Sequence, residues 1–129
     1  MKYFLILLLF MTATLTGAQA QTAPASPANR LRHVVLFKFK DASSAADIKK
    51  VEDAFRALPA RISTIRDFEW GKNNSPEGQN QGFTHCFFVS FDSEKDRDVY
   101  LPHPAHSAFV EVLKPHLDKV LVIDYWAGK

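Results

Sequence analysis

Four stretches of the chain combine β-branched and aromatic residues in short runs that are bounded by polar, Gly-rich or Pro-containing segments. Such runs are typical of β-strands. They predict strands at His33–Lys40, Ile65–Lys72, Phe83–Phe91 and Val120–Trp126. A polar loop with one proline and two glycines, residues 73–82, separates the second strand from the third.

Three helices are predicted between these strands. The first begins at a capping box formed by Ser44 and Asp47, and its apolar positions then recur at steps of three and four residues until it ends near Pro59. A short second helix opens at Asp92-Ser93 and ends at Tyr100. The third begins at Pro104 and is predicted to carry Phe109, Val112, Leu113 and Leu117, although Pro115 must kink its last turn.

The resulting order, β-α-β-β-α-α-β, predicts an α+β fold with a four-stranded antiparallel sheet and helices on one face. Both alternating faces of the strands are apolar: in the first strand, Val35 and Phe37 point one way while Val34 and Leu36 point the other. Two or three helices cannot cover both faces. A second sheet, contributed by another copy of the chain, is the expected cover, so we expect a homodimer.

The first twenty residues have the features of a secretory signal peptide. Lys2 gives a positive start, residues 3–11 are almost entirely apolar, and Ala18-Gln19-Ala20 places small residues where signal peptidase cleaves. The apolar run is too short to span a bilayer. We expect cleavage before Gln21, a disordered leader at 21–30, a folded domain at 31–129, export to the periplasm or the medium, and no stable membrane association after cleavage.

Composition narrows the possible functions. The chain has 129 residues, 16 Lys or Arg against 14 Asp or Glu, and one cysteine. This length leaves no room for a second domain of ordinary size. The balanced charge gives no basic footprint for nucleic acid, and one cysteine excludes an internal disulfide or a Cys-cluster metal site.

Five blocks of the sequence resemble the stress-responsive α/β-barrel (Dabb) domain family. They are H-V-V-L-F-K-F-K at 33–40, W-G-K at 70–72, F-T-H at 83–85, Y-x-x-H-P-x-H at 100–106 and I-D-Y at 123–125. The resemblance implies a ferredoxin-like fold whose dimer closes two four-stranded sheets into a barrel.

The resemblance also implies candidate site residues. In the plant polyketide-cyclase branch of the family, the second His of H-P-x-H serves as a base and the Tyr that starts the motif assists it; these positions match His106 and Tyr100. Further histidines that line the pocket of that branch match His33, His85 and His103. The chemistry of that branch is an aldol-type ring closure without a metal or an organic cofactor, so the resemblance implies no cofactor here.

The predicted positions of His106 and Tyr100 are compatible with the roles of base and assisting hydroxyl. His106 is predicted in the first turn of a helix, where the positive end of the dipole favours a neutral imidazole, as a general base needs. A nearby Tyr hydroxyl would donate a hydrogen bond to developing enolate charge. We expect an exported dimer that binds a small apolar or aromatic ligand.

Several alternatives stay open. The protein could be a cofactor-independent cyclase or lyase, or a structural stress-protective dimer without a ligand. Tyr100 and His106 could simply cap a helix and fasten the preceding turn. A zinc site around His103 and His106 is disfavoured because their pattern contains a proline and has no carboxylate ligand nearby.

Overall fold

A computed structural model describes residues 29–128 of the protein. The predicted signal peptide and most of the predicted leader therefore lie outside the described residues. The strands are β1 (Leu31–Phe39), β2 (Asp67–Lys72), β3 (His85–Phe91) and β4 (Leu117–Trp126), and the helices are α1 (Ala45–Arg56), α2 (Glu94–Tyr100) and α3 (Pro104–Leu113). A short 3-10 turn, Leu58–Ala60, follows α1.

The four strands form one antiparallel sheet in the order β2-β3-β1-β4. The predicted α+β, ferredoxin-like architecture is confirmed, with every predicted strand and helix present. The capping box is also present, because the Ser44 side chain accepts a hydrogen bond from the Asp47 backbone N–H and the Asp47 carboxylate accepts one from the Ser44 backbone.

Several element boundaries differ from the prediction by one to three residues, and the end of α3 differs by four. Leu117 does not belong to α3, which ends at Leu113; it is the first residue of β4. Pro115 explains the difference, because it has no N–H to donate and its ring excludes the helical position of the carbonyl four residues earlier. The backbone N–H of His116 instead bonds the Leu113 carbonyl, and the chain turns directly into the strand.

The core lies between the sheet and the helices and is mainly aromatic. Phe55 of α1 stacks on Phe87 of β3 at 4.2 Å between ring centroids, and Phe109 of α3 lies 4.6 Å from Phe55. Phe37 of β1 contacts all three rings. Close contacts of this kind stabilise the core beyond the burial of apolar area alone.

The other side of the sheet is not covered by any helix among residues 29–128. We call this surface the apolar sheet face; it consists of Val34, Leu36, Cys86, Phe88, Leu121 and Ile123. Leu121 and Ile123 on the edge strand β4 are 42% and 49% exposed, and Val120 and Val122 on the helix side of the same strand are each 49% exposed. An apolar surface of this extent is unusual for a chain that stays monomeric. In the described part of the chain, no helix has the length and apolar character needed to cross a bilayer.

Candidate functional site

A cavity of about 360 Å³ lies on the helix side of the sheet, between strands β1 and β4 and helices α2 and α3. We call it the Tyr100 cavity. Most of the side chains that line it are apolar. The polar or ionisable residues of the lining are His33, Tyr100, His106 and Asp124. A largely apolar cavity with a few convergent polar groups is the usual form of a small-molecule site.

Tyr100 is the last residue of α2 and is 0% exposed. Its ring packs against those of Phe91, His33 and His106. The hydroxyl oxygen is buried and has no hydrogen-bond partner among the described residues. Burial raises the pKa of Tyr100 far above its ordinary value. The hydroxyl therefore keeps its proton and is a donor that lacks an acceptor.

His106 lies in the first turn of α3, two residues after Pro104. Its Nδ1 is 2.9 Å from the carbonyl oxygen of Leu101. A carbonyl only accepts, so Nδ1 carries the hydrogen and the neutral ring has its lone pair on Nε2. Burial lowers the pKa of His106, and the nearby imidazoles of His33 and His103 lower it further, while the bond to Leu101 raises it in part. The net direction favours a neutral imidazole that can accept a proton.

His33 enters the same cavity from β1 and is held by the neighbouring strand. Its Nδ1 is 2.6 Å from Oδ1 of Asp124, which lies directly opposite on β4. The second oxygen of Asp124 accepts a hydrogen bond from the Arg97 guanidinium at 3.0 Å. Arg97 is on α2, so three elements meet in one polar chain at the cavity wall.

Asp124 and Arg97 were not predicted as site residues. The sequence carries a signal for Asp124, because it is the acidic residue in an otherwise apolar alternation of Val120 and Val122 on the helix side of β4. No such signal marks Arg97, which sits in a helix segment with charged residues on several sides.

The structure does not bring His85 and His103 to this cavity. His103 is the residue that caps α3, and its Nδ1 accepts a hydrogen bond from the Ala105 backbone N–H at 3.1 Å. His85 is buried near a separate cavity of about 330 Å³ at the other end of β1. Its Nε2 is 2.9 Å from a carboxylate oxygen of Glu52, and its Nδ1 is 2.8 Å from the Thr84 hydroxyl.

The polar groups around the cavity form a chain of hydrogen bonds and ion pairs. Over residues 29–128, no three His, Cys, Asp or Glu side chains are grouped so that they could hold a metal ion. The polar chain at the cavity instead consists of one carboxylate between an imidazole and a guanidinium. It can therefore accept and donate protons through groups of the protein itself.

Comparison with known proteins identifies relatives across almost the whole described chain. Residues 31–127 match the family model of the Stress responsive A/B Barrel Domain. The stress-response A/B barrel domain-containing protein HS1 of Arabidopsis thaliana is 40% identical over 95 residues, which cover 74% of this chain and 87% of that protein. Olivetolic acid cyclase of Cannabis sativa is 30% identical over 99 residues, covering 77% of this chain and 98% of the cyclase.

A solved structure shows the same fold. The crystal structure of a dimeric protein of unknown function with a ferredoxin-like fold, from Bacteroides fragilis, superposes with a TM-score of 0.63 at 30% sequence identity. The match covers 76% of this chain and 96% of that one. On the family model, the two sequence relatives and this shared fold, the chain belongs to the stress-responsive A/B barrel domain family.

Proposed function

We propose that the protein binds a small ligand with an apolar or aromatic body and a polar head in the Tyr100 cavity. The observation that carries this proposal is the Tyr100 side chain, which lines the cavity and whose buried hydroxyl has no hydrogen-bond partner among residues 29–128. Buried polar groups are nearly always hydrogen-bonded, because leaving one unpaired costs about 1–3 kcal/mol. An acceptor oxygen on a bound ligand would supply the missing partner.

The remainder of the cavity fits the same kind of ligand. His106 presents Nε2, a hydrogen-bond acceptor, while its ring lies 4.5 Å from that of Tyr100 between centroids. A donor and an acceptor side by side match a hydroxyl head, whereas a carbonyl head would pair only with the donor. Phe109, Leu113 and Val122 line the apolar remainder, where an alkyl chain or an aromatic ring would be shielded from water.

A cofactor-independent cyclase or lyase is the second candidate, and the hydrogen bond from His106 to Leu101 favours it. This bond fixes the tautomer that leaves Nε2 free to take a proton from a carbon next to a carbonyl. Tyr100 would donate a hydrogen bond to the enolate oxygen as charge develops. Similarity to olivetolic acid cyclase over 98% of that enzyme supports this candidate.

The same proposal includes a homodimer. Its support is the apolar sheet face, which no element of the described chain covers, together with the dimeric neighbour from Bacteroides fragilis. Two copies placed with these faces together would close the two four-stranded sheets into a barrel. The Tyr100 cavity lies on the opposite side of the sheet, so each copy would keep its own site.

We further propose that the protein is exported and that cleavage before Gln21 releases it from the membrane. The support is the sequence alone: a positive start, a short apolar run and small residues at Ala18 and Ala20.

Thermal melts with a panel of aromatic and polyketide-like ligands test the binding proposal. We expect at least one ligand to raise the melting temperature of the parent, and the rise to shrink or vanish in Tyr100→Phe and His106→Ala. Tyr125→Phe and His116→Ala are the matched controls, since neither side chain lines the cavity. If no ligand stabilises the parent and both site variants unfold early, Tyr100 and His106 are scaffold and the proposal fails.

A further inference from the structure

The second polar feature of the Tyr100 cavity is the chain Arg97–Asp124–His33, which the binding proposal above does not use. We infer that His33 is a second proton acceptor and that the cavity selects ligands with an acidic phenol or enol head. This inference rests on the binding proposal. Such a ligand would bind as its anion, having passed its hydroxyl proton to Nε2 of His33.

The hydrogen-bond pattern fixes which nitrogen is available. Asp124 is a carboxylate and can only accept, so Nδ1 of His33 carries a hydrogen at the 2.6 Å contact. The lone pair of the neutral ring is then on Nε2. When Nε2 takes a proton, the resulting imidazolium lies against the Asp124 carboxylate, and this contact stabilises the charged ring.

Burial strengthens that interaction. The His33 side chain is only 7% exposed and packs between the rings of Phe91 and Tyr100. Charges at such a position are screened much less than charges on the surface. The carboxylate and imidazole therefore act as a unit.

Four ionisable groups face His33 from the elements packed around it. They are Asp124 from β4, Arg97 and Tyr100 from α2, and His106 from α3. Asp124 contacts the His33 ring through one carboxylate oxygen and the Arg97 guanidinium through the other. Arg97 also contacts Asp98, which lies outside the lining of the cavity.

The proposed proton transfer from the ligand to His33 needs no further reactant. The ligand O–H bond breaks, its proton forms a new N–H bond at Nε2, and the electron pair stays on the ligand oxygen. The Tyr100 hydroxyl donates a hydrogen bond to that anionic oxygen, which gives the unpaired donor its acceptor. Nothing is oxidised or reduced, and the proton returns to the ligand on release.

Para-nitrophenol is a direct probe, because its neutral and ionised forms absorb at different wavelengths. We expect its titration midpoint to fall by about one pH unit when it binds the parent protein, the size of effect that one nearby opposite charge produces. Asp124→Asn keeps an oxygen to accept the Nδ1 hydrogen bond and removes the charge, so most of that fall is lost. Arg97→Gln keeps a donor to Asp124 and removes the competing cation, so the midpoint falls further.

Asp118→Asn is the control, since Asp118 is an aspartate of β4 that pairs with Lys38 away from the cavity. It should leave the midpoint at the parent value. An unshifted midpoint for bound para-nitrophenol, or an equal fall in Asp124→Asn, would overturn the inference and leave the binding proposal intact. Failure of para-nitrophenol to bind the parent also overturns the inference, while the ligand melts decide the binding proposal separately.

Discussion

The rings of Tyr100 and His106 lie 4.5 Å apart between centroids, although the first ends one helix and the second belongs to the next. The connection between the helices produces this contact. His103 caps α3 and its backbone N–H bonds the Tyr100 carbonyl, while the His106 ring returns to the Leu101 carbonyl. The local turn therefore orients a donor and a proton acceptor toward one cavity.

Removing the Tyr100 hydroxyl should not weaken the fold of the unliganded protein. The hydroxyl is buried and has no partner in the described part of the chain, so Tyr100→Phe keeps the ring packing and should leave the free energy of unfolding equal or raise it by up to about 1 kcal/mol. Chemical denaturation of the unliganded protein measures this directly. A clear loss of stability would show that the hydroxyl has a structural partner.

The stability of the unliganded protein should fall as His106 becomes protonated. The folded state lowers the pKa of His106, so the unfolded chain binds the proton more tightly. Stability is therefore retained above the ordinary histidine value of 6.5 and falls as the pH drops below it toward the lower folded value. His106→Asn should flatten this part of a stability-against-pH curve, and a curve parallel to that of the parent would contradict the assignment.

Glu52 should give a pH dependence of the same sign at lower pH, because the folded state lowers its pKa as well. Burial alone would raise the pKa of Glu52, but hydrogen bonds and charges from Lys72 and His85 outweigh it and hold the pKa below its ordinary value. The stabilisation is present above 4.5 and is lost as the pH falls through the lower folded value. Acid unfolding of the parent and Glu52→Gln should differ in this range; parallel curves would contradict the assignment.

Much of this fold is predictable because its signals are local. The capping box at Ser44, the proline at the start of α3 and the strand-forming runs each act within a few residues. The neutral state of His106 is expected from the helix dipole, and in the structure burial also lowers the pKa of this residue.

Which residues line the site depends on the pairing of strands that are distant in the sequence, and this is harder to predict. Alternation correctly places His33 and His85 on the same face of the sheet, but the register pairs His33 with Val89 and His85 with Phe37. The two histidines are thus separated by four residues along the strands, about 13 Å, and belong to different cavities. The contact of Asp124 with His33 arises from the β1–β4 register, which the sequence alone does not fix.

Disrupting the apolar sheet face should dissociate the proposed dimer. Leu36→Lys or Ile123→Lys would bury a charge between two sheets, so we expect monomers or unfolded chains in sedimentation experiments. Val99→Lys is the control, because Val99 is an exposed apolar residue on α2. A parent protein that sediments as a monomer at micromolar concentration would contradict the dimer.

Export can be checked by mass spectrometry of the protein produced in its native host. Cleavage after Ala20 predicts a mature chain that starts at Gln21 and appears in the exported fraction. A chain that retains residues 1–20 in the membrane fraction would contradict both processing and release.

A crystal structure of the protein with an aromatic ligand that raises its melting temperature tests the central claim most directly. The account predicts the ligand in the Tyr100 cavity, with one of its oxygens about 2.8 Å from the Tyr100 hydroxyl and its apolar part against Phe109 and Leu113. A ligand bound elsewhere, with the Tyr100 hydroxyl still unpaired, would contradict it.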